Sequence, residues 1–320
     1  MQKRNVTLWL VLCLCIALLV PAQALAQEGD QVGFTDTSGH WAAEAISEWA
    51  EKGLVGGYSD GSFQPDTGIT RAEFMAIVNR AMGYQETAAI DFSDVEATDW
   101  FYAEVAKAVQ AGYITGYQDG TMQPGNQITR QEVSAIISRL IKLTGDSEAI
   151  QSFADRQNIG AWCEEMVGAV VTGGYMGGYP DNTFQPKKPI TRAETVTVLQ
   201  RVTGELYNTP DTYGPAEGSQ TIDGNVTISA DGITLQNTEI NGVLHLTAGI
   251  GDGDVLLKNV IVNGTTVVSG GGENSIVLDG TELNNVIVER KDGTVRILAQ
   301  NGSSIKIVVM QSGGILEQAE

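Results

Sequence analysis

The sequence predicts a multidomain protein: an all-α N-terminal module of three repeats, followed by an all-β domain read as a short parallel β-solenoid. Three observations carry this. The stretch Ile69-Thr70-Arg71-Ala72-Glu73 returns as Ile128-Thr129-Arg130-Gln131-Glu132 and as Ile190-Thr191-Arg192-Ala193-Glu194. Apolar residues recur at helical spacing around each copy. Further on, short runs such as Val226-Thr227-Ile228, Val255-Leu256-Leu257, Ile276-Val277-Leu278 and Val286-Ile287-Val288 alternate and are separated by Gly, Asn and Asp.

In chain order, residues 1–26 are expected to be a secretory signal peptide. Lys3 and Arg4 precede the apolar run Leu8 to Val20, then Pro21 and the small-residue site Ala24-Leu25-Ala26. That run is too short to span a bilayer, so no membrane span is expected in the mature chain. The whole chain carries 19 basic and 39 acidic residues. Cleavage would remove Lys3 and Arg4, leaving 17 against 39, a formal charge of −22. Nucleic acid is excluded as a partner, and an anionic polymer would have to be held by local basic pockets. Cys13 and Cys15 fall in the signal segment. Cys163 alone remains, which rules out an intrachain disulfide, and it is expected to pack as a small apolar residue beside Trp162.

The repeats occupy residues 34–84, 92–143 and 153–207, and their landmarks are phase-locked. Trp41, Trp100 and Trp162 each lie 30 residues before the motif arginine, and Gly57, Gly116 and Gly178 each lie 14 before it. Arg80, Arg139 and Arg201 follow it by nine. Trp41 to Leu54 reads as a helix with Trp41, Ala45, Ile46, Trp49 and Ala50 on one face. Gly57 to Pro65 is a turn-rich loop. Thr70 and Glu73 then form a capping box ahead of a helix from Arg71 to about Met82, stopped by Gly83. Arg80, near the C-terminal end, suits the helix dipole, whereas Arg71 in the first turn opposes it. An ion pair with a nearby loop acid, Asp60 or Asp66, is one reading of Arg71; a ligand anion is the other.

The series Trp, Gly-Tyr-x-Asp-Gly-x-Phe-x-Pro and Ile-Thr-Arg-Ala-Glu, three times over, resembles the S-layer homology (SLH) repeat. The resemblance implies one pseudo-threefold helical module whose inter-repeat grooves bind secondary cell-wall polysaccharide, often pyruvylated, and hold a secreted protein on a bacterial surface. The implied carbohydrate-binding residues are Arg71, Arg130 and Arg192 as carboxylate contacts beside free helix amides, Gly57, Gly116 and Gly178 as points of close sugar approach, and Tyr58, Tyr117 and Tyr179, which stack on a sugar or pack inward. Replacing all three arginines by alanine is expected to abolish wall binding and leave the helices intact. Repeat two departs from the pattern at Met122 and Gln131. Repeat three departs at Pro180, Asn182 and the helix start Ala161-Trp162-Cys163-Glu164-Glu165, which makes its groove the expected weakest.

Residues 208–218, with Pro210, Gly214, Pro215 and Gly218, read as a linker, and 219–320 as the β-rich domain. Asn241, Asn263 and Asn285 are 22 residues apart, as are Asn237 and Asn259. This suggests about four coils with asparagine stacks at the corners; an antiparallel sandwich is the alternative. No catalytic constellation, metal site or cofactor is expected: His40 and His245 lack nucleophile partners, Asp252 and Asp254 read as a solvated turn, and Asp279 and Glu282 are isolated. The expected role is anchoring with display of the β domain, against a wall-targeted hydrolase or lyase. Self-association through the open solenoid ends is a third reading.

Overall fold

The structure is a computed structural model and describes residues 33–319 except 274 and 292. The expected signal peptide, with Cys13 and Cys15, lies outside the described residues. Six α-helices are found among those residues, two per repeat: α1 (Ala43–Glu51) and α2 (Arg71–Met82), α3 (Tyr102–Ala111) and α4 (Arg130–Leu140), α5 (Glu164–Thr172) and α6 (Arg192–Thr203). Thr70, Thr129 and Thr191 cap α2, α4 and α6 with complete capping boxes, as expected. The first helices start later than predicted. A turn in which the Ala43 amide donates to the His40 carbonyl precedes α1, so Trp41 falls outside the helical period and the buried face is Ile46, Trp49 and Ala50.

Three backbone hydrogen bonds close the repeats into a ring. The Ile69 amide donates to the Ile190 carbonyl, Ile128 to Ile69, and Ile190 to Ile128, each at 3.0 Å. One apolar core, including Phe63, Phe74, Met122, Ile137, Phe184 and Val196, fills all three repeats. Units of this size bury too little surface singly, and ring closure supplies the missing faces.

The β region is a three-sided parallel solenoid of about five turns. One side stacks Glu205–Tyr207, Val226–Ile228, Leu244–Leu246 and the C-terminal parts of Val255–Val268, Glu282–Val288 and Ser304–Met310. Alternate residues, among them Val226, Leu244, Val286, Leu235, Leu257 and Leu278, fill its interior. The expected linker differs: Thr212–Tyr213 lies parallel to Thr234–Leu235, and Glu205–Tyr207 to Val226–Ile228, so residues 208–218 build a wall of the first coil. The asparagine corners are present in part. Asn259 donates to Asn237 (3.0 Å) and Asn263 to Asn241 (2.8 Å). Asn285 does not extend the second stack, because a register shift between Val262 and Thr265 places it within a strand, opposite Thr265.

The C-terminal ends of α2 and α6 dock on the first side of the solenoid. Helix ends leave carbonyls without intrahelical donors, and the solenoid supplies them: Thr247 Oγ1 to Met82 O (2.7 Å), Thr227 Oγ1 to Thr203 O (2.8 Å) and Asn225 Nδ2 to Val202 O (2.9 Å). His245 is buried beside these contacts. Its Nε2 has no hydrogen-bond partner, and burial, with the Lys142 charge second, pushes its pKa down to about 4.

Candidate functional site

The motif arginines are the joints of the ring. Each enters the next repeat and is almost fully buried, with Arg71 4%, Arg130 4% and Arg192 6% exposed. Arg192 Nε donates to Phe63 O (2.8 Å), Nη2 to Gly56 O (2.8 Å) and Nη1 to Glu73 (3.4 Å), with the guanidinium over the Tyr58 ring. Arg130 repeats this on Phe184 O, Gly177 O, Glu194 and Tyr179. Arg71 meets Met122 O, Glu132 and Tyr117, but its Nη2 faces the Met122 sulfur (3.9 Å) where the other two reach a carbonyl. The expected partners Asp60 and Asp66 are engaged elsewhere, Asp60 with Ser62 and Asp66 with His40.

The geometry also corrects the picture of free helix amides beside the arginine. The first amides of α2, α4 and α6 are taken by the loop of the next repeat: Arg71 N donates to Asn126 O and Ala72 N to Pro124 O, Arg130 N to Lys188 O, and Arg192 N to Thr67 O. The capping threonine supplies the next acceptor for Glu73 and Glu194. Removing an arginine would leave buried carbonyls and a carboxylate unmatched, so the expectation that alanine at all three positions spares the helices does not survive.

Each tyrosine hydroxyl donates to the capping-box glutamate of its own repeat, Tyr58 to Glu73, Tyr117 to Glu132 and Tyr179 to Glu194, while its ring stays partly open to solvent. Burial alone would raise the Glu132 pKa, but hydrogen bonds from Thr129 and Tyr117, with the Arg71 charge, hold it below the usual carboxylate range. Burial pushes the Tyr117 hydroxyl up to about 12. Gly57, Gly116 and Gly178 have a packing role: a Cβ there would lie 2.5–2.6 Å from the Phe34, Phe92 or Phe153 ring.

Two features escaped sequence reading. The first is Asp36, Asp94 and Asp155, whose carboxylates accept the amides of Phe63 and Gln64, Met122 and Gln123, and Phe184 and Gln185, at 2.7–2.8 Å. They hold Gln64, Gln123 and Gln185 at φ of 52–56°, a left-handed conformation unfavourable to side chains. The triplets Phe34-Thr35-Asp36, Phe92-Ser93-Asp94 and Phe153-Ala154-Asp155 were the available signal.

The second feature is the exposure of the phase-locked tryptophans: Trp41 63%, Trp100 63% and Trp162 55%. Trp41 follows His40, which bonds Asp66 in the loop that receives α6. Trp162 lies against Gly160, whose amide donates to Gln131 Oε1 (3.1 Å) at the start of α4. The Trp41 and Trp162 indoles therefore flank inter-repeat joints. The same contact links two departures from the repeat pattern, Gln131 and the Ala161-Trp162-Cys163 helix start. Cys163 is buried as expected, donates to Gly160 O (3.2 Å), and has its thiol pushed up to about 11 by burial. Asn182, at φ 61°, takes the left-handed position that Gly61 and Gly120 occupy in the other repeats.

Among the described residues no helix is long and apolar enough to cross a membrane, and no group of three or more His, Cys, Asp or Glu could hold a metal ion.

The family model described as S-layer homology domain matches residues 33–75, 91–134 and 152–196. The Surface-layer 125 kDa protein of Lysinibacillus sphaericus is 29% identical over 295 residues, covering 88% of this chain and 24% of that protein. The Cellulosome-anchoring protein of Acetivibrio thermocellus is 32% identical over 154 residues, 45% of this chain and 34% of that protein. Amylopullulanase of Thermoanaerobacterium thermosulfurigenes is 33% identical over 184 residues, 56% of this chain and 10% of that protein. The chain thus spans between 10% and 34% of the length of these curated relatives.

Proposed function

Because the three helical repeats are S-layer homology domains, we propose that this chain is a secreted, wall-associated protein that anchors non-covalently to bacterial cell-wall polysaccharide and displays its solenoid. The sugar faces lie on Trp41, Trp100 and Trp162 in the three inter-repeat grooves, beside Tyr58, Tyr117 and Tyr179. Arg71, Arg130 and Arg192, with Gly57, Gly116 and Gly178, act from behind as positioning residues that hold each tyrosine ring and glutamate in place. The observation that carries this reading is the exposure of the indoles: nearly every other phase-locked side chain has a partner in the fold, whereas three large aromatic surfaces stay open at equivalent places. Exposed aromatic surface repeated in this way marks a binding face. Anchoring agrees with the names of the surface-layer and cellulosome-anchoring relatives.

A pyruvyl carboxylate on the glycan is a further part of the proposal. The test is co-sedimentation of the full chain with sacculi from which the secondary polysaccharide has been extracted, with and without prior loss of pyruvate. Binding that needs the polysaccharide supports anchoring, and binding that also needs pyruvate supports the finer reading. Equal retention on stripped sacculi would overturn both. The amylopullulanase match favours a second reading, a wall-targeted polysaccharide hydrolase or lyase; sustained reducing-end release by the purified chain would decide for it.

A further inference from the structure

The helical ring is threefold, but its seat on the solenoid is not. Twelve residues after each motif arginine stand Gly83, Lys142 and Gly204, with φ of 67°, 54° and 60°. Two of these corners touch the solenoid backbone. A Cβ on Gly83 would lie 2.6 Å from Ser229 O, and one on Gly204 1.8 Å from Asn225 O. At the third corner a lysine occupies a left-handed position that its counterparts fill with glycine, and strain of this kind gathers at functional places. Here the helix end stands off from the solenoid, and Lys142 Nζ spans the gap to Glu289 (2.6 Å).

The gap is a cleft of about 530 Å³, within the size range of small-ligand sites. It inverts the charge of the chain. Lys107, Arg139, Lys142, Arg290 and Lys291 line it against Glu86, Asp252 and Glu289, in a protein of formal charge −20. Two of the three acids are already ion-paired, Glu289 with Lys142 and Asp252 with Arg290. Lys107 also faces Glu104 at 3.5 Å, and Arg139 donates to Tyr113 O. Tyr84 adds an aromatic wall. Its ring stacks on Tyr113 at 6.0 Å, and its hydroxyl has no hydrogen-bond partner among the described residues.

We propose that this cleft between the second repeat and the solenoid is a separate binding site for an anionic saccharide, with Lys142, Lys291 and Lys107 facing its acid group and Tyr84 its ring. The chain as a whole repels anions, so recognition at short range depends on these side chains. The site does not rest on the groove reading, since none of the groove tryptophans or tyrosines lines it.

Calorimetric titration of the full chain would use tetragalacturonate as the carboxylate probe, glucose 6-phosphate as the phosphate probe and maltotetraose as the neutral control. Lys142→Gly is a variant that relieves the backbone and therefore folds; it is combined with Lys291→Gln. One acidic probe should bind, about tenfold more weakly in the double variant and again at high salt, while maltotetraose does not. Retention of the variant on sacculi should be unchanged, which keeps this site distinct from the grooves. Absence of binding by both acidic probes, equal affinity in wild type and variant, or equal binding of maltotetraose would overturn the proposal.

Discussion

The protein contains two repeat structures that solve the problem of unfinished edges in opposite ways. The helical repeats close on themselves, so each joint is built on the same arginine, tyrosine and glutamate in equivalent places, and an arginine from one repeat completes the next. The solenoid is open. It adds coils by parallel pairing, and its steps vary, 18 residues from Val226 to Leu244 and 22 from Leu244 to Thr266. Its last coil leaves Ile307, Val309, Met310, Ile315 and Leu316 exposed. A closed ring fixes side-chain identity, because every joint must meet the same geometry. An open stack fixes only the alternation of buried residues and the chemistry of its corners.

The largest effect should come from breaking one joint of the ring. Arg192→Ala strands Glu73 and the carbonyls of Phe63 and Gly56, and should lower unfolding free energy by about 3–5 kcal/mol in urea titrations. Lysine should rescue little, since it cannot make the forked contacts. A loss below about 1 kcal/mol would mean that the ring does not depend on its joints.

The seam between ring and solenoid should show in pH. His245 is neutral in the fold and has its pKa lowered to about 4, so between the ordinary imidazole value, about 6.5, and that pH the unfolded chain binds a proton that the folded chain refuses. Its contribution is fully present above about pH 6.5 and falls away, by up to about 3 kcal/mol, as pH drops towards 4. Replacing His245 with leucine should flatten this limb of the stability profile; an unaltered acid limb would refute the assignment.

Corner chemistry in the solenoid should matter less. Asn259 sits at φ 52° and donates to Asn237, so Asn259→Ala should cost about 2 kcal/mol, combining the left-handed penalty with a lost hydrogen bond. Asn259→Gly should cost about half of that, because only the hydrogen bond is lost. Equal losses would show that the corner conformation carries no stability.

Much of this is legible in the sequence. Helix period, capping boxes and triple recurrence point to three helical repeats that pack together, and alternating runs with asparagines at 22-residue steps suggest parallel coils while leaving an antiparallel sandwich open. The missing parts share a cause: their partners are distant in sequence. Arg71 looked unexplained because its carboxylate partner, Glu132, is 61 residues away in another repeat. Residues 208–218 looked like a linker because their Pro and Gly content is local, whereas the strand that pairs with Thr212 begins at Ile233. Apolar periodicity runs on through Trp41 although α1 begins only at Ala43, so the sequence alone puts Trp41 on the helix face. Lys142 sat at a visible offset from the motif, yet its left-handed backbone can be seen only in the fold.

The central claim is that the ring binds wall glycan through its exposed indoles, and the most direct measurement is retention of the full chain carrying Trp41→Ala, Trp100→Ala and Trp162→Ala on polysaccharide-bearing sacculi. These side chains are mostly in solvent, so each change should alter stability by less than about 0.5 kcal/mol, while retention is lost stepwise and is absent in the triple variant. Full retention by a folded triple variant would contradict the account.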